Sequence, residues 1–191
     1  MNPDTVRLLR EAAQWRLLGL LFECPQAGWQ PQLAALAGEA GDHALQRAVD
    51  AACHEGSIEL YSTIFGPGGP AAPREVSYRE MTIPGQIFGE LRTYYRAFGY
   101  EPSCGEAPDH IAVELGFVAY LRLKEAYARE RQNPGEADVA AEAATRFIAD
   151  HLAPMAVSLA ENLARSDVAY FVAAGEALRN RIMRATAPVT V

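Results

Sequence analysis

Asp109, His110 and Glu114 stand together at the head of an apolar run, GEAPDHIAVELGF (105–117), with Pro108 just before them. Their types and spacing suit several kinds of chemistry. A His and a Glu four apart share one face of a helix and can bind a metal or pass a proton. A carboxylate in a first helical turn gains about 0.3–1 kcal/mol from the helix dipole, and proline fits the first helical position. Acids and an imidazole at a helix mouth can also hold a basic peptide through charge-assisted hydrogen bonds. The metal reading lacks ligands, since a catalytic zinc takes three from the protein. His43, His54 and His151 have no ligand spacing to this pair. A cap accounts for Pro108 and Asp109 but leaves His110 and Glu114 unexplained. Flanked by Val113 and Leu115, Glu114 is expected near buried surface. There it needs a partner, of which His110 is the nearest, or it stays neutral with a raised pKa.

Other catalytic constellations are missing from the chain. No GxSxG elbow occurs, and no Cys or Ser has a base nearby in sequence. Neither GxxxxGK[ST] nor GxGxxG is present, and no Lys follows the GPGG of residues 66–69. Cys24, Cys53 and Cys104 are far apart and form no CxxC pair, which suits reduced thiols rather than a zinc site or a disulfide framework. The expectation is a non-enzyme without metal or cofactor. The alternative is a metal-dependent helical enzyme using His110 and Glu114.

The elements that must position these residues read as helices. Val6, Leu9, Ala13, Leu17, Leu20 and Leu21 recur at spacings of three and four between polar residues, after a capping Asp4. Further helices are expected over about 31–39 from Pro31, after Asp42 up to Gly56, and after Ser57 up to Gly66. GPGGPAAPR (66–74) cannot be regular structure. Helical pattern resumes near Thr82 and Pro84 and ends at Gly99, a suitable left-handed cap. Pro108 is expected to open a helix to about Arg131. It is apolar nearly all round, as in the centre of a bundle. QNPGE then breaks the chain. Helices follow over 137–151, from Pro154, and from Ser166, before a frayed TAPVTV tail. The fold class is all-α, a single-domain bundle of roughly eight or nine helices over residues 1–191.

Bulk composition narrows the partners. Half of the 191 residues are apolar and 21% are charged, which suits one globular domain. A net charge of −7 argues against nucleic acid, whose phosphates demand clustered Lys and Arg, and favours a basic partner. Arg7, Arg10, Glu11 and Arg16 interrupt the first apolar run, so it reads as no signal peptide, and no run approaches a membrane span. Tyr61, Phe65, Tyr78, Tyr94, Tyr95 and Phe98 surround the Pro/Gly loop; most should be core, yet they can also line a peptide groove.

Three segments, in order, resemble the TorD/DmsD/NarJ family of redox-enzyme maturation chaperones. YSTIFGPGGPAAPREVSYRE (61–80) is similar to the family's aromatic, Phe, Gly-Pro stretch ending in a Ser-Val-Tyr-like element. PDHIAVELGFVAYL (108–121) looks like its Pro-Asp-His helix entrance, and residues 147–178 resemble its His-Leu-x-Pro turn and final helices. The chain departs from the pattern in the order Val76, Ser77, Tyr78, in Met155 where tryptophan is common, and in Arg74 and Glu75 where aromatics are frequent. The resemblance implies a cytoplasmic chaperone, not an enzyme. Its partner would be the apo catalytic subunit of a molybdopterin oxidoreductase. It would bind that subunit's N-terminal twin-arginine signal, or the remnant of one, and hold it for cofactor insertion before export or assembly. By motif, Asp109 and His110 lead as peptide-binding positions, with Pro108 shaping the entrance and Tyr78, Glu75 and Gly66 on the facing loop. Glu106, Glu75 and Glu114 would add charge toward guanidinium groups, while Tyr61, Phe65, Tyr94 and Phe98 would receive the apolar part. Family members can exchange helices, so a homodimer crossing at QNPGE is compatible with the likeness.

Overall fold

In the computed structural model, residues 2–80 and 83–187 are described. Among them the three- and four-residue apolar spacing produces nine α-helices: α1 (Pro3–Leu21), α2 (Trp29–Ala40), α3 (His43–Glu55), α4 (Ile58–Phe65), α5 (Pro84–Phe98), α6 (Ile111–Glu130), α7 (Pro134–Phe147), α8 (Ala153–Ala164) and α9 (Ala169–Thr186). No named strand occurs among the described residues, and the fold is an all-α bundle as expected. The expected restart at Thr82 and the end of the TAPVTV tail lie outside the described residues.

Several ends fall where side chains can satisfy free amides. Asp42 accepts from the amides of Ala44 and Leu45 at 2.9 and 3.1 Å, and Ser57 from Leu60 at 3.1 Å. Gly99 closes α5 with φ 65°. Other ends differ from expectation for local reasons. Asn2, not Asp4, caps α1, because its side chain accepts the Asp4 amide at 3.0 Å. Trp29 begins α2 two residues ahead of Pro31, which sits within the first turn, where no intrahelical amide bond is lost. Ser166 donates to the Leu163 carbonyl at 2.6 Å and so closes α8, which leaves α9 to start at Ala169.

Pro154 does not restart the chain. α7 passes through a five-residue π turn, Ile148–Leu152, directly into α8. Proline has no amide to offer the carbonyl four residues back, that of Asp150. That carbonyl instead receives a hydrogen bond from Nη2 of Arg79. The wider turn thus presents a backbone acceptor sideways, toward the site.

α6 is the central helix. It lies between α1 and α7, while α9 packs on α3 and α8. Phe117 on α6 is fully buried, with rings on several sides: Phe147 at 4.7 Å, Tyr95 at 4.9 Å, Tyr100 at 5.3 Å, Phe98 at 6.0 Å and Tyr94 at 6.2 Å between centroids. Mostly edge-on contacts of this kind contribute beyond simple area burial. They fix α5 and α7 against the helix that carries the candidate residues. Phe117→Ala should therefore cost about 3–5 kcal/mol of stability, measured by chemical denaturation.

Candidate functional site

The mouth of α6 begins later than the proline suggested. Pro108 and Asp109 precede the helix, His110 is its N-cap with φ −78° and ψ 133°, and Ile111 is the first helical residue. The reason is a competing partner for the backbone. Arg74 and His110 form an isolated antiparallel bridge. The Glu75 amide donates to the Asp109 carbonyl at 2.9 Å, and the Ile111 amide donates to the Pro73 carbonyl at 2.8 Å. Extended geometry at His110, reached through a turn closed by the His110 amide on the Ala107 carbonyl at 3.0 Å, is what this pairing needs. A first-turn dipole role for Asp109 is thereby excluded. Pro108 instead offers its carbonyl to the Tyr95 hydroxyl at 2.8 Å.

The loop that supplies the bridge is folded tightly upon α4. At Gly66 a Cβ would sit 2.2 Å from the Ser62 carbonyl, so only glycine fits that corner. The Gly66 amide reaches the same carbonyl at 2.9 Å, and the Ala71 amide reaches that of Ile64 at 3.3 Å. Tyr78, at the end of a 3-10 turn (Glu75–Tyr78), donates its hydroxyl to the Ala72 carbonyl at 2.8 Å. The strap 71–79 is thus closed on itself and then onto α6.

Its side chains reach inward. Nε of Arg74 pairs with Oδ1 of Asp109, whose Oδ2 lies 3.4 Å from the Val76 amide. Asp109 is entirely buried. His110, also buried, accepts the Ala112 amide on Nδ1 at 3.2 Å. That bond assigns the ring proton to Nε2, which lies 3.0 Å from the Tyr61 hydroxyl and donates to its oxygen. Burial, helped by the Arg74 charge, pushes His110 down to about 4. The imidazole is therefore a neutral cap at ordinary pH.

Glu114 is not its partner. The His110 ring turns back over the first turn as a cap, whereas Glu114 points into the interior toward Glu75. Neither oxygen of Glu114 meets a donor, and the only hydrogen bond open to it is one it gives to the Glu75 carboxylate as a neutral acid. Burial, with the charges of Glu75 and Asp109 adding to it, raises its pKa well above the carboxylate range. Glu75, fully buried, takes Nε and Nη2 of Arg79 at 2.8 and 2.5 Å, and Nδ1 of His151 at 3.1 Å. His151 lies in the π turn, an irregularity common at functional sites.

The remaining candidates are spread around this centre. Phe65 joins the core, 4.9 Å from Phe171 and 5.1 Å from Tyr61. Tyr94 packs on Phe147 and His151, yet with Phe98 it also lines a shallow apolar groove along α5 beside Gly85, Gly89 and Ala97. Glu106 lies 4.0 Å from His110 Nε2, at the edge of a polar cavity of about 540 Å³ that Arg16, Glu23, Cys24 and Cys104 help to line. Tyr95, one of the aromatics expected near the loop, holds the Pro108 carbonyl, whereas Arg79 and Phe88 carry no signal in the sequence. His151 lay inside the His-Leu-x-Pro segment, and Arg74 was visible only as a departure from a family pattern. The enzyme alternative finds no support: no three His, Cys, Asp or Glu among the described residues are placed to hold a metal. His110 spends both ring nitrogens on protein partners.

The buried titratable groups make opposite demands on pH. The unfolded state takes up a proton on His110 near 6.5 and the folded state only near 4, so stability is lost as pH falls through that window, by up to about 3 kcal/mol. His110→Asn keeps an N-cap acceptor and should flatten the acid limb of stability against pH in that window. For Glu114 the folded state holds a proton that the unfolded chain releases, so its contribution is present at low pH and fades as pH rises. Glu114→Gln, which needs no proton to donate to Glu75, should add about 1–3 kcal/mol at the alkaline end of a denaturation series.

Residues 27–161, which contain the strap, the α6 entrance and the π turn, match the model of the family described as nitrate reductase delta subunit. No curated protein matches the chain. A crystal structure from Archaeoglobus fulgidus, provisionally assigned as a redox enzyme maturation protein, has the same fold. The TM-score is 0.60 over 90% of this chain and 93% of that one, at 19% identity. The chain belongs to the nitrate reductase delta subunit family, the NarJ/TorD type of redox-enzyme maturation chaperones.

Proposed function

We propose that this protein is a cytoplasmic chaperone that binds the N-terminal peptide of a molybdopterin oxidoreductase catalytic subunit. That peptide is a twin-arginine signal or its remnant. The chaperone holds the apo subunit until its cofactor is inserted, and it catalyses nothing. The observation that carries the reading is the family match across 27–161. The same span supplies the strap, the capped mouth of α6 and the acid-lined surroundings. A basic peptide head has Glu106, partly exposed beside a neutral imidazole, as an accessible carboxylate. Asp109 lies just behind the strap. The apolar continuation of such a peptide has the α5 groove at Tyr94 and Phe98, which would take it as an amphipathic helix. No described helix is long and apolar enough to cross a membrane, in keeping with a partner that is met before export.

Calorimetric titration with a synthetic twin-arginine peptide tests the reading. Wild type should bind, and the Asp109→Ala/His110→Ala double variant should lose at least about tenfold, or 1.4 kcal/mol. Equal binding by a folded double variant rules out the site.

A further inference from the structure

Asp109 and Arg74 make an unequal pair. The carboxylate has no exposure, whereas the arginine leaves 35% of its side chain open to solvent. The guanidinium carbon of Arg74 also lies 5.4 Å from the centre of the Phe88 ring on α5. A buried carboxylate on one side and an aromatic face on the other are the two surfaces that recognise a guanidinium. The third side is water.

The backbone of the strap does not depend on this side chain. It is held by the antiparallel Arg74–His110 pairing, whose two bonds come from the Glu75 and Ile111 amides, and by the Tyr78 hydroxyl. Arg79, the other strap arginine on a buried carboxylate, is different, because the Asp150 carbonyl holds it as well. Arg74 can therefore swing outward while the strap stays shut, and Arg79 cannot leave so simply.

We propose that Asp109 and Phe88 form a guanidinium slot in which Arg74 is a resident ligand, displaced by an arginine of the incoming client peptide. The proposal rests on the client-peptide reading above and adds how the site is kept closed and what opens it. Exchange of one guanidinium for another keeps a cation against the carboxylate throughout. The buried charge is then never left uncompensated, a state that proteins tolerate poorly. The slot also selects arginine over lysine, because an ammonium neither lies flat on a ring nor forks onto a carboxylate. Arg74 lowers client affinity by competition and sets a threshold that a single stray cation does not cross.

Chemical rescue tests the slot separately from the client. Arg74→Ala empties it, and Arg74→Lys keeps a cation should the alanine variant fold poorly. Methylguanidinium is expected to raise the melting temperature of either variant by about 2–4 °C relative to its effect on wild type. Methylammonium should not, and adding Asp109→Asn should remove the effect. A synthetic peptide with consecutive arginines before an apolar stretch should bind Arg74→Ala about tenfold more tightly than wild type, and replacing both arginines by lysine should abolish that gain. No stabilisation by methylguanidinium, or stabilisation that survives Asp109→Asn, overturns the slot. Stabilisation without tighter peptide binding overturns the exchange. Failure of the peptide to bind any variant, wild type included, is instead the failure of the client reading.

Discussion

A carboxylate shut away from water needs a cation beside it, and Asp109 draws one from a loop 35 residues earlier in the chain. The strap that brings this cation in also shapes the site through its backbone. The Arg74 side chain approaches the mouth of α6 where its backbone pairs with His110, which keeps His110 extended and delays the helix to Ile111. Extended geometry at His110 then frees its ring to serve as the cap. With Nδ1 taken by the Ala112 amide, Nε2 is committed to Tyr61. A buried ion pair is weak evidence of net stability. The geometry beside it comes from the backbone pairing of 73–75 with 109–111, which sets where the helix starts and leaves the imidazole free to cap it.

A second acid centre lies deeper and obeys the same rule differently. Glu75 has Arg79 and His151, so its charge is matched. Glu114 has no cation of its own and takes the alternative open to a buried acid, keeping its proton. The two centres share the strap, since residues 74 and 75 point to different carboxylate clusters from adjacent positions. One short segment therefore ties α6 both to its own entrance and to the π turn ahead of α8. The acidic surplus of the chain is left largely at the surface, where Glu106 faces a polar cavity.

The bundle was legible because its signals are local. Apolar spacing, the Asp42 and Ser57 caps and the Gly99 terminator each act within a turn or two, and each placed a boundary correctly. Some boundaries near Asp4, Pro31 and Ser166 moved for local reasons, but the errors that bear on the site occurred where a distant partner overrides local preference. Pro108 is a good first helical residue in isolation, but the strap's backbone captured the next two positions. Pro154 reads as a break until the Asp150 carbonyl it would strand is seen to have an arginine from residue 79. Pairing His110 with Glu114 assumed both lay on one helix, which the cap position removes. The alternative for Glu114, a buried acid whose pKa is raised, is the one that its burial beside Glu75 favours. Arg74, Arg79 and His151 carry no pattern of their own. Their roles are set by contacts 35 to 76 residues away that no window of sequence contains.

The separation between Glu75 and His151 has a consequence for synthesis of the chain. Glu75 meets its histidine only after 76 further residues have been made. Until the π turn has left the ribosome, Glu75 has Arg79 beside it but not yet His151. The cluster around Glu75 is therefore the last part of the strap's surroundings to be completed, and it forms together with the π turn that leads into α8.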